Sequence, residues 1–257
     1  MPSTADFATF ARELAEAGGE VIRNYFRSGV AVDSKSDESP VTIADREAEK
    51  AIRLLINKRF ADHGILGEEL GEENPDAEYQ WILDPIDGTV SFIHGTFSFG
   101  TLIALTRNSD PILGLYHHPI LNETLVGDCD TTLYYHRNKK EEVRLRPCHK
   151  LEEASLLTTD LAHIKKHQNQ EKFLQLSEQV KYLRMWGDCY GYYLLATGYA
   201  DIMVDPILKT WDVMALVPII QGAHGMITDY QGGPADKGSS AIAAHPEIHA
   251  RVVAALN

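Results

Sequence analysis

The clearest shortage in this 257-residue sequence is positive charge. Lysine and arginine together number 24 against 37 aspartate and glutamate residues, which gives a formal net charge of −13 at pH 7. Such a chain repels phosphate backbones unless its basic residues are concentrated locally. The densest basic stretches, 137–146 and 163–167, are short and interrupted. The composition therefore argues against a nucleic-acid-binding protein.

Cysteine is scarce as well, and long apolar runs are missing. Cys129, Cys148 and Cys189 are an odd number without C-x-x-C spacing, which is untypical of a disulfide scaffold or a Cys-rich zinc site. No apolar run approaches the ~20 residues that span a bilayer. The first residues carry several charges where a secretory signal is apolar. We expect a cytoplasmic protein without membrane contact.

Helical and strand-like segments follow each other along the whole chain. The apolar spacing predicts helices over 7–25, with Asp6 as its cap, and over 42–60, with a polar loop over 34–39 between them. Strand-like runs then cover 79–83, 97–106, 111–117 and 123–127. Beyond 147, strand-like runs 154–159, 181–185 and 200–204 alternate with helical segments 168–179, 189–197 and 211–222.

This order of segments predicts two unequal halves. Residues 1–146 should form an α+β half with a largely antiparallel sheet, because their strand-like runs are separated by short turn signals. Residues 147–257 should form a smaller α/β half, because strands and helices alternate there.

Carboxylates gather in four short motifs. They are Asp45 at the start of the second predicted helix, Glu68 and Glu69 in ILGEELG, Asp84 and Asp87 in WILDPIDGT, and Asp212 in LKTWDVMAL. Each motif alone has a structural explanation. An Asp at a helix start is commonly a cap, adjacent Glu residues are commonly solvated, and Asp-Pro and Asp-Gly mark turns.

The DPIDGT segment is harder to explain structurally. Its two carboxylates directly follow the apolar residues 81–83, so they emerge at the end of a buried strand, where an unpaired charge is costly. No Lys or Arg stands nearby, and the next one downstream is Arg107. Oxygen-rich sites of this kind suit Mg²⁺. A helical turn that begins at Gly88 and Thr89 would seat an anion beside the metal.

Other phosphatase and hydrolase templates do not match. Haloacid-dehalogenase-type enzymes place two aspartates in D-x-D-G-T, whereas Asp84 and Asp87 are three residues apart, so Asp84 is not interpreted as a phosphorylated nucleophile. The sequence contains no G-x-x-x-x-G-K-[ST], G-x-S-x-G or H-E-x-x-H motif.

With these motifs assembled, the chain resembles the inositol monophosphatase family of Mg²⁺-dependent, lithium-sensitive phosphomonoesterases. The resemblance covers nearly the whole sequence and depends on SPVTIAD (39–45), ILGEE (65–69), WILDPIDGT (81–89) and KTWDVMALVPIIQGAHG (209–225), in the family's order. It implies a layered α-β-α-β-α sandwich, commonly a homodimer, that acts on a small phosphomonoester.

The resemblance also implies a set of metal ligands. Glu68, Asp84 and the backbone carbonyl of Ile86 would hold one Mg²⁺, and Asp84, Asp87 and Asp212 a second. A third, weaker Mg²⁺ would use Glu68. Two or three Mg²⁺ ions per active site are therefore expected.

Catalytic and phosphate-binding roles follow from the same resemblance. Gly88 and Thr89 would bind the substrate phosphate. A metal-bound water would attack phosphorus in line, oriented and deprotonated by the Glu68 carboxylate and by the Thr89 hydroxyl, which would be hydrogen-bonded to Asp45. No phosphoenzyme is expected.

For the substrate, the segments SDESPVT, FGTLIAL and G-D-C-Y-G-Y are most similar to the histidinol-phosphatase branch of the family. Histidinol phosphate carries an ammonium group, which extra carboxylates such as Asp188 and Asp205 would pair with, whereas inositol is neutral. The substrate-binding residues predicted in this way are Asp87, Arg184, Gly187, Asp188, Cys189, Asp205 and Asp212.

Several alternatives stay open at this stage. Asp188 could instead cap the helix that begins near Cys189, and Cys189 could be a small buried residue. The substrate could be inositol 1-phosphate or a range of sugar phosphates. A protein of another class, a non-catalytic metal or phosphometabolite sensor or a structural acidic protein, is a further alternative.

The histidines give weaker signals. His117 and His118 depart from what the histidinol-phosphatase branch leads us to expect, and neighbouring strand residues point to opposite faces, so at most one of them should face a shared pocket. His163 and His167 have the i, i+4 spacing of metal ligands but no third ligand nearby, so we expect an exposed helix or loop there.

Overall fold

The computed structural model describes residues 2–29, 31–34 and 40–257. Most of the polar loop expected over 34–39 lies outside the described residues, as does Ser39, the first residue of the SPVTIAD motif. The other carboxylate motifs lie within them.

The helices in the described residues are α1 (Thr4–Tyr25), α2 (Ile43–Arg59), α3 (Thr89–Ile93), α4 (Leu161–His167), α5 (Gln170–Gln179), α6 (Asp188–Ala196), α7 (Thr210–Val213), α8 (Leu216–Gly222) and α9 (Pro246–Leu256). The strands are β1 (Val32–Ser34), β2 (Pro40–Thr42), β3 (Gly64–Gly67), β4 (Gly71–Glu73), β5 (Tyr79–Asp87), β6 (Gly100–Arg107), β7 (Asp110–His118), β8 (Glu123–Gly127), β9 (Thr132–His136), β10 (Lys139–Glu142), β11 (Ser155–Thr158), β12 (Tyr182–Arg184), β13 (Ile202–Asp205), β14 (Met226–Thr228) and β15 (Ala241–Ala244).

Two large sheets organise these strands. The first has eight strands in the order β10-β9-β8-β7-β6-β5-β3-β4, and the second has five in the order β12-β11-β13-β15-β14. In the first sheet only β3 and β5 run parallel, which confirms the largely antiparallel sheet expected from the short turns. In the second, β11 is parallel to both its neighbours. The division at 146 and 147 stays a prediction.

Helices cover and separate the sheets, so that five layers alternate. Helices α1 and α2 pack on the outer face of the first sheet, α6 and α8 lie between the sheets, and α5 and α9 cover the far face of the second. Among the buried members of three of the four apolar clusters are Phe10 and Trp81, Tyr192 and Met203, and Phe173 and Ile202. The α-β-α-β-α arrangement expected from the family resemblance is confirmed.

Both N-terminal helices begin with a capping box. The N-cap of α1 is Ser3, whose hydroxyl accepts from the backbone N–H of Asp6, while the Asp6 carboxylate accepts from Ser3 in return. The prediction that Asp6 is the cap was therefore wrong by three residues. Thr42 and Asp45 form the equivalent pair at α2.

The single helix predicted over 211–222 is two helices, α7 and α8. Pro218 explains the break, because proline has no backbone N–H to donate to the carbonyl four residues earlier, that of Met214. The apolar spacing that suggested one helix continues across this interruption.

The three cysteines, Cys129, Cys148 and Cys189, are free, as expected from their number and spacing. None of the helices in the described part of the chain combines the length and apolar composition that a bilayer-spanning helix requires.

Two paired glycines let the middle helical layer approach the first sheet closely. Gly114 on β7 lies opposite Gly127 on β8. A Cβ on Gly114 would lie 1.9 Å from the carbonyl oxygen of Ala215, and one on Gly127 would lie 2.5 Å from the Cα of Ile219. Because both obstacles are backbone atoms, the helix and the sheet would have to separate to admit a side chain.

We predict that Gly114→Ala lowers the free energy of unfolding by about 2 to 3 kcal/mol, the upper part of the range for overpacking, because a clash with backbone cannot be relieved by a rotamer change. Denaturant unfolding followed by far-ultraviolet circular dichroism measures this difference.

The matched control is Gly71→Ala. No atom of the described residues lies within 4 Å of the added Cβ there, but the φ angle is +75°. It should lose only about 1 kcal/mol, the cost of a left-handed conformation for a residue other than glycine. An equal loss in both variants would contradict the steric explanation.

Candidate active site

A cavity of about 400 Å³ opens where strand ends of both sheets meet. The first sheet contributes Asp87 at the end of β5 and Glu68 just after β3. The second contributes Asp205 at the end of β13 and Thr159 just after β11. Asp188, the first residue of α6, lies in the wall between them.

A β-bulge brings the two carboxylates of β5 to the same side. Residues three apart on a regular strand point to opposite faces. Here the pairing with β6 shifts between Asp84 and Asp87, so that one extra residue is inserted in β5. Pro85 lies in this bulge, and its carbonyl accepts a hydrogen bond of 2.7 Å from the Thr101 hydroxyl.

Three carboxylates form a cluster that could hold a metal ion. One oxygen each of Asp84, Asp87 and Asp212 lies within 4.8 Å of the others. Asp212 is in the first turn of α7, where its Oδ2 accepts 2.7 Å from the backbone N–H of Lys209. Asp84 is 2% exposed, and its buried Oδ1 has no hydrogen-bond partner among the residues that the structure describes.

Burial and mutual repulsion dominate the electrostatics of this cluster. Burial, together with repulsion from Glu68, Asp87 and Asp212, holds the pKa of Asp84 well above its usual value. Burial likewise raises the pKa of Asp87 to about 8, with repulsion from Asp188 as the next cause. The pKa of Asp212 is raised by burial and then by Asp87. Several like charges are thus held together at a cost.

These residues fit a hard divalent cation. A cation of this kind prefers carboxylate oxygens, accepts water as further ligands, and would neutralise the repulsion that raises the pKa values. The orphaned Oδ1 of Asp84 would gain a partner. The donor set therefore suits Mg²⁺.

Glu68 is held near the cluster by a buried residue that the sequence analysis did not identify. The carboxylate of Glu49, on α2, accepts backbone hydrogen bonds from Glu69 (2.8 Å) and Leu70 (3.2 Å). Arg53 pairs with Glu49 at 2.7 Å. The only sequence signal was the position of Glu49 one helical turn after Asp45, on the same face of α2.

Gly88 and Thr89 form the turn expected after Asp87. Gly88 has φ +86°, and a Cβ there would lie 2.7 Å from the Ser98 carbonyl oxygen, so glycine is required. Helix α3 begins at Thr89, as predicted. The Thr89 hydroxyl donates to the Ile86 carbonyl at 3.1 Å, not to Asp45. Asp45 accepts instead from Thr42, and its pKa is raised by burial.

The predicted substrate-contact residues lie mostly on this cavity. Asp188, Cys189 and Asp205 line it together with Asp87 and Asp212. The N-cap of α6 is Gly187 and Asp188 is the first helical residue, without a side-chain cap, so the alternative that Asp188 caps this helix is wrong. Burial raises the pKa of Asp188 to about 7 and that of Asp205 to about 6.

Arg184 is not brought to the cavity. It is exposed on β12 and lines a different pocket, with its guanidinium above the ring of Tyr182. Thr159, which was not identified from the sequence, is in the cavity instead. Its signal was its position at the end of an apolar run, the same position that Asp84 occupies after 79–83.

The positions of His117 and His118 agree with the expectation that at most one of them faces a shared pocket. His117 and His118 are both buried outside the cavity. His118 Nε2 is 2.8 Å from the Phe97 carbonyl, and burial lowers the pKa of His117 to about 4. His163 is exposed on α4, as expected, but it also lines the cavity beside Asp205.

A solved inositol monophosphatase from Zymomonas mobilis has the same fold, with a TM-score of 0.87 and 36% identity over 100% of this chain and 99% of that one. The chain is also 36% identical to the histidinol-phosphatase of Chlorobaculum parvum, over 86% of its own length and 85% of the relative's. The fold, the acidic cluster and these relatives define the class of protein as a phosphoric monoester hydrolase.

The family model for the inositol monophosphatase family matches residues 4–257. The chain belongs to the inositol monophosphatase family. It is also 44% identical to the chloroplastic bifunctional phosphatase IMPL2 of Arabidopsis thaliana; that match covers 88% of this chain and 65% of the plant protein, just under two thirds of its length. The family generally uses Mg²⁺, in agreement with the oxygen-rich cluster.

The raised pKa values predict how stability depends on pH and metal. The clustered carboxyls bind protons more tightly in the folded protein than in the unfolded chain. The metal-free protein should therefore lose stability as pH rises from about 4, the unfolded value, towards about 8. Saturating Mg²⁺ should restore it, because only the folded cluster binds the ion. Thermal unfolding with and without Mg²⁺ measures both effects.

Asp84→Asn removes one negative charge from the acidic cluster and keeps the size of the side chain. At about pH 8 the metal-free variant should unfold at a higher temperature than the wild type, because one buried like charge is gone, and it should gain less from Mg²⁺. Asp130→Asn changes an exposed carboxylate and serves as the control. An undiminished Mg²⁺ response of Asp84→Asn would place the metal elsewhere.

Proposed function

We propose that the protein hydrolyses a small phosphomonoester whose alcohol part carries an ammonium group, L-histidinol phosphate, to L-histidinol and phosphate, a step of histidine biosynthesis. The observation that carries this proposal is that Asp188 and Asp205 line the same cavity as the acidic cluster. The cavity therefore contains two carboxylates, those of Asp188 and Asp205, beyond the cluster that could hold a metal ion.

The extra carboxylates favour a substrate with an ammonium group. An ionised donor forms a short, strong hydrogen bond with a carboxylate, whereas a neutral polyol offers hydroxyl donors alone. A phosphomonoester whose alcohol part is uncharged would leave Asp188 and Asp205 without a counter-charge at a position where burial already raises their pKa values. The similarity to a histidinol-phosphatase supports the same choice.

We propose that Glu68, Asp84, the Ile86 carbonyl, Asp87 and Asp212 hold two or three Mg²⁺ ions. When bound, Mg²⁺ supplies Lewis acidity and a water of lowered pKa.

Around that site, we propose that Gly88 and Thr89 bind the phosphate. Glu68 takes a proton from the attacking water. Asp45 lies close to Glu68, since repulsion from Glu68 contributes to the raised pKa of Asp45. Thr89 supplies a hydroxyl at the start of α3.

A second candidate function is hydrolysis of inositol 1-phosphate or of several sugar phosphates. It is favoured by the similarity to the Zymomonas mobilis inositol monophosphatase, whose identity to this chain equals that of the histidinol-phosphatase. Both functions use the same cluster and differ in what the far part of the cavity recognises.

Steady-state rates on the two substrates decide between them. We predict that kcat/KM for histidinol phosphate exceeds that for inositol 1-phosphate at least tenfold, which corresponds to about 1.4 kcal/mol of transition-state binding. A tenfold preference for inositol 1-phosphate would overturn the choice of substrate but not the hydrolase class.

The variant Asp188→Asn sharpens this experiment. It keeps the size of the side chain and removes its charge, so kcat/KM for histidinol phosphate should fall about tenfold while that for inositol 1-phosphate changes by less than about threefold. Asp76→Asn, at an exposed loop, controls for net charge.

We also propose that two copies associate, as the family resemblance suggests. Strand β12 is an edge of the second sheet, and Tyr182, Met185, Trp186 and Tyr199 nearby are 49 to 71% exposed. Three of these side chains line one pocket. Exposed aromatic residues at an unpaired strand edge are typical of a surface that another chain covers.

A cytoplasmic location stays a prediction.

Light scattering after size exclusion should give twice the chain mass for the wild type. The double variant Trp186→Ser, Tyr199→Ser should shift the mass towards that of the monomer, because it removes the two most exposed aromatic side chains of the patch. Leu54→Ser, 70% exposed on α2, is the control and should stay dimeric. A monomeric wild type would contradict the proposal.

A further inference from the structure

The hydroxyl of Thr159 makes two hydrogen bonds across the cavity that the proposed function does not use. Thr159 Oγ1 donates to Asp205 Oδ1 at 2.6 Å and accepts from the backbone N–H of Asp188 at 2.8 Å. The hydroxyl proton is thus used by the Asp205 carboxylate, and a lone pair of the same oxygen holds the backbone of Asp188. The hydroxyl connects the two extra carboxylates of the cavity.

The backbone at Asp188 needs this support. Asp188 has φ +50°, in the left-handed region, which is costly for most residues other than glycine and less so for Asp and Asn. Its N–H lies in the first turn of α6, where no helical carbonyl is available. The chain also lies directly on Thr159, since a Cβ on Gly187 would be 2.1 Å from the Thr159 Cα. Thr159 Oγ1 is the acceptor that this N–H has.

The position of the Asp188 carboxylate follows from that of its backbone. Asp188 Oδ2 faces the turn at Gly88, where a Cβ would lie 3.0 Å from it. The next backbone N–H, that of Cys189, donates to Asp87 Oδ2. The backbone N–H groups of Asp188 and Cys189 therefore hold the start of α6 to both sheets, the first through Thr159 and the second through Asp87. Loss of the hydrogen bond to Thr159 would free the backbone of Asp188 and with it the Asp188 carboxylate.

We propose that Thr159 is a positioning residue that sets substrate selectivity by holding the Asp188 carboxylate over the Gly88 turn. This inference rests on the proposed function, because Asp188 is the residue expected to meet the cationic part of the substrate. Thr159 itself need not touch the substrate, since its donor is already used by Asp205.

Thr159→Val and Thr159→Ser test the hydroxyl directly. Valine keeps the shape and removes both hydrogen bonds, so KM for histidinol phosphate should rise at least tenfold with kcat within about threefold of the wild type. The kcat/KM for inositol 1-phosphate should fall by less than about threefold. Serine keeps the hydroxyl and should stay within about twofold of the wild type on both substrates.

The chain offers a matched control one residue earlier. Thr158 is fully buried and its hydroxyl has no hydrogen-bond partner in the described part of the chain, so Thr158→Val makes the same chemical change without losing a bond. It should behave as the wild type in both assays. If Thr159→Val does not fold, Thr159→Ala takes its place.

Backbone hydrogen exchange at Asp188 gives a readout that does not depend on the substrate. The amide should be protected in the wild type and in Thr159→Ser, and should exchange at least tenfold faster in Thr159→Val, because its acceptor is gone. If the wild type shows no preference for histidinol phosphate, the proposed function fails, and this exchange pattern alone decides the role of Thr159.

Three results would overturn the positioning role. They are an equal loss on both substrates in Thr159→Val, full activity with unchanged exchange in that variant, and failure of serine to restore selectivity. The first would mean that Thr159 supports the whole site, and the other two that the hydroxyl is not what holds Asp188.

Discussion

Repulsion among buried carboxylates is the constraint to which the rest of the site responds. Asp84, Asp87 and Asp212 are held within 4.8 Å of one another, and burial with mutual repulsion raises their pKa values. An arrangement of this kind is unfavourable without a cation, so the fold has to supply the energy that keeps it together. The bulge in β5 and the first turn of α7 each fix one part of it through backbone geometry. A bound divalent ion would turn the same repulsion into attraction.

The two sheets and the helical layer between them provide the rigidity that this cluster needs. Gly114 and Gly127 let the backbone between Ala215 and Ile219 lie directly on the first sheet, which fixes the end of α7 and with it Asp212. Glu49 holds the loop after β3, and Thr159 and Asp87 anchor the start of α6. Glu49, Thr159 and Asp87 each accept a hydrogen bond from a backbone N–H, so the positions of the carboxylates are determined by the main chain more than by flexible side chains.

Much of the fold was predictable because periodicity is a local signal. Both N-terminal helices, the antiparallel strands and the alternation after 147 were anticipated from apolar spacing and turn residues. Where the observed helices differ from the predicted ones, the cause is a single residue and not the apolar pattern. Ser3 is a better cap than Asp6 because its hydroxyl reaches the N–H of Asp6, and Pro218 interrupts a helix whose apolar pattern continues. Asp188, for which a helix cap was the alternative, does not cap α6, and its left-handed backbone is held by Thr159, a contact between residues 29 positions apart.

The sequence by itself determined which carboxylates and which chemistry are available, because the DPIDGT, GEE and TWD motifs place oxygen ligands at strand and helix ends. It could not determine which side chains share the cavity. A bulge decides that Asp84 and Asp87 face the same way, and the packing of the second sheet decides that Thr159, His163 and Asp205 join them while Arg184 does not. Such convergence depends on distances across both sheets, which no local pattern encodes.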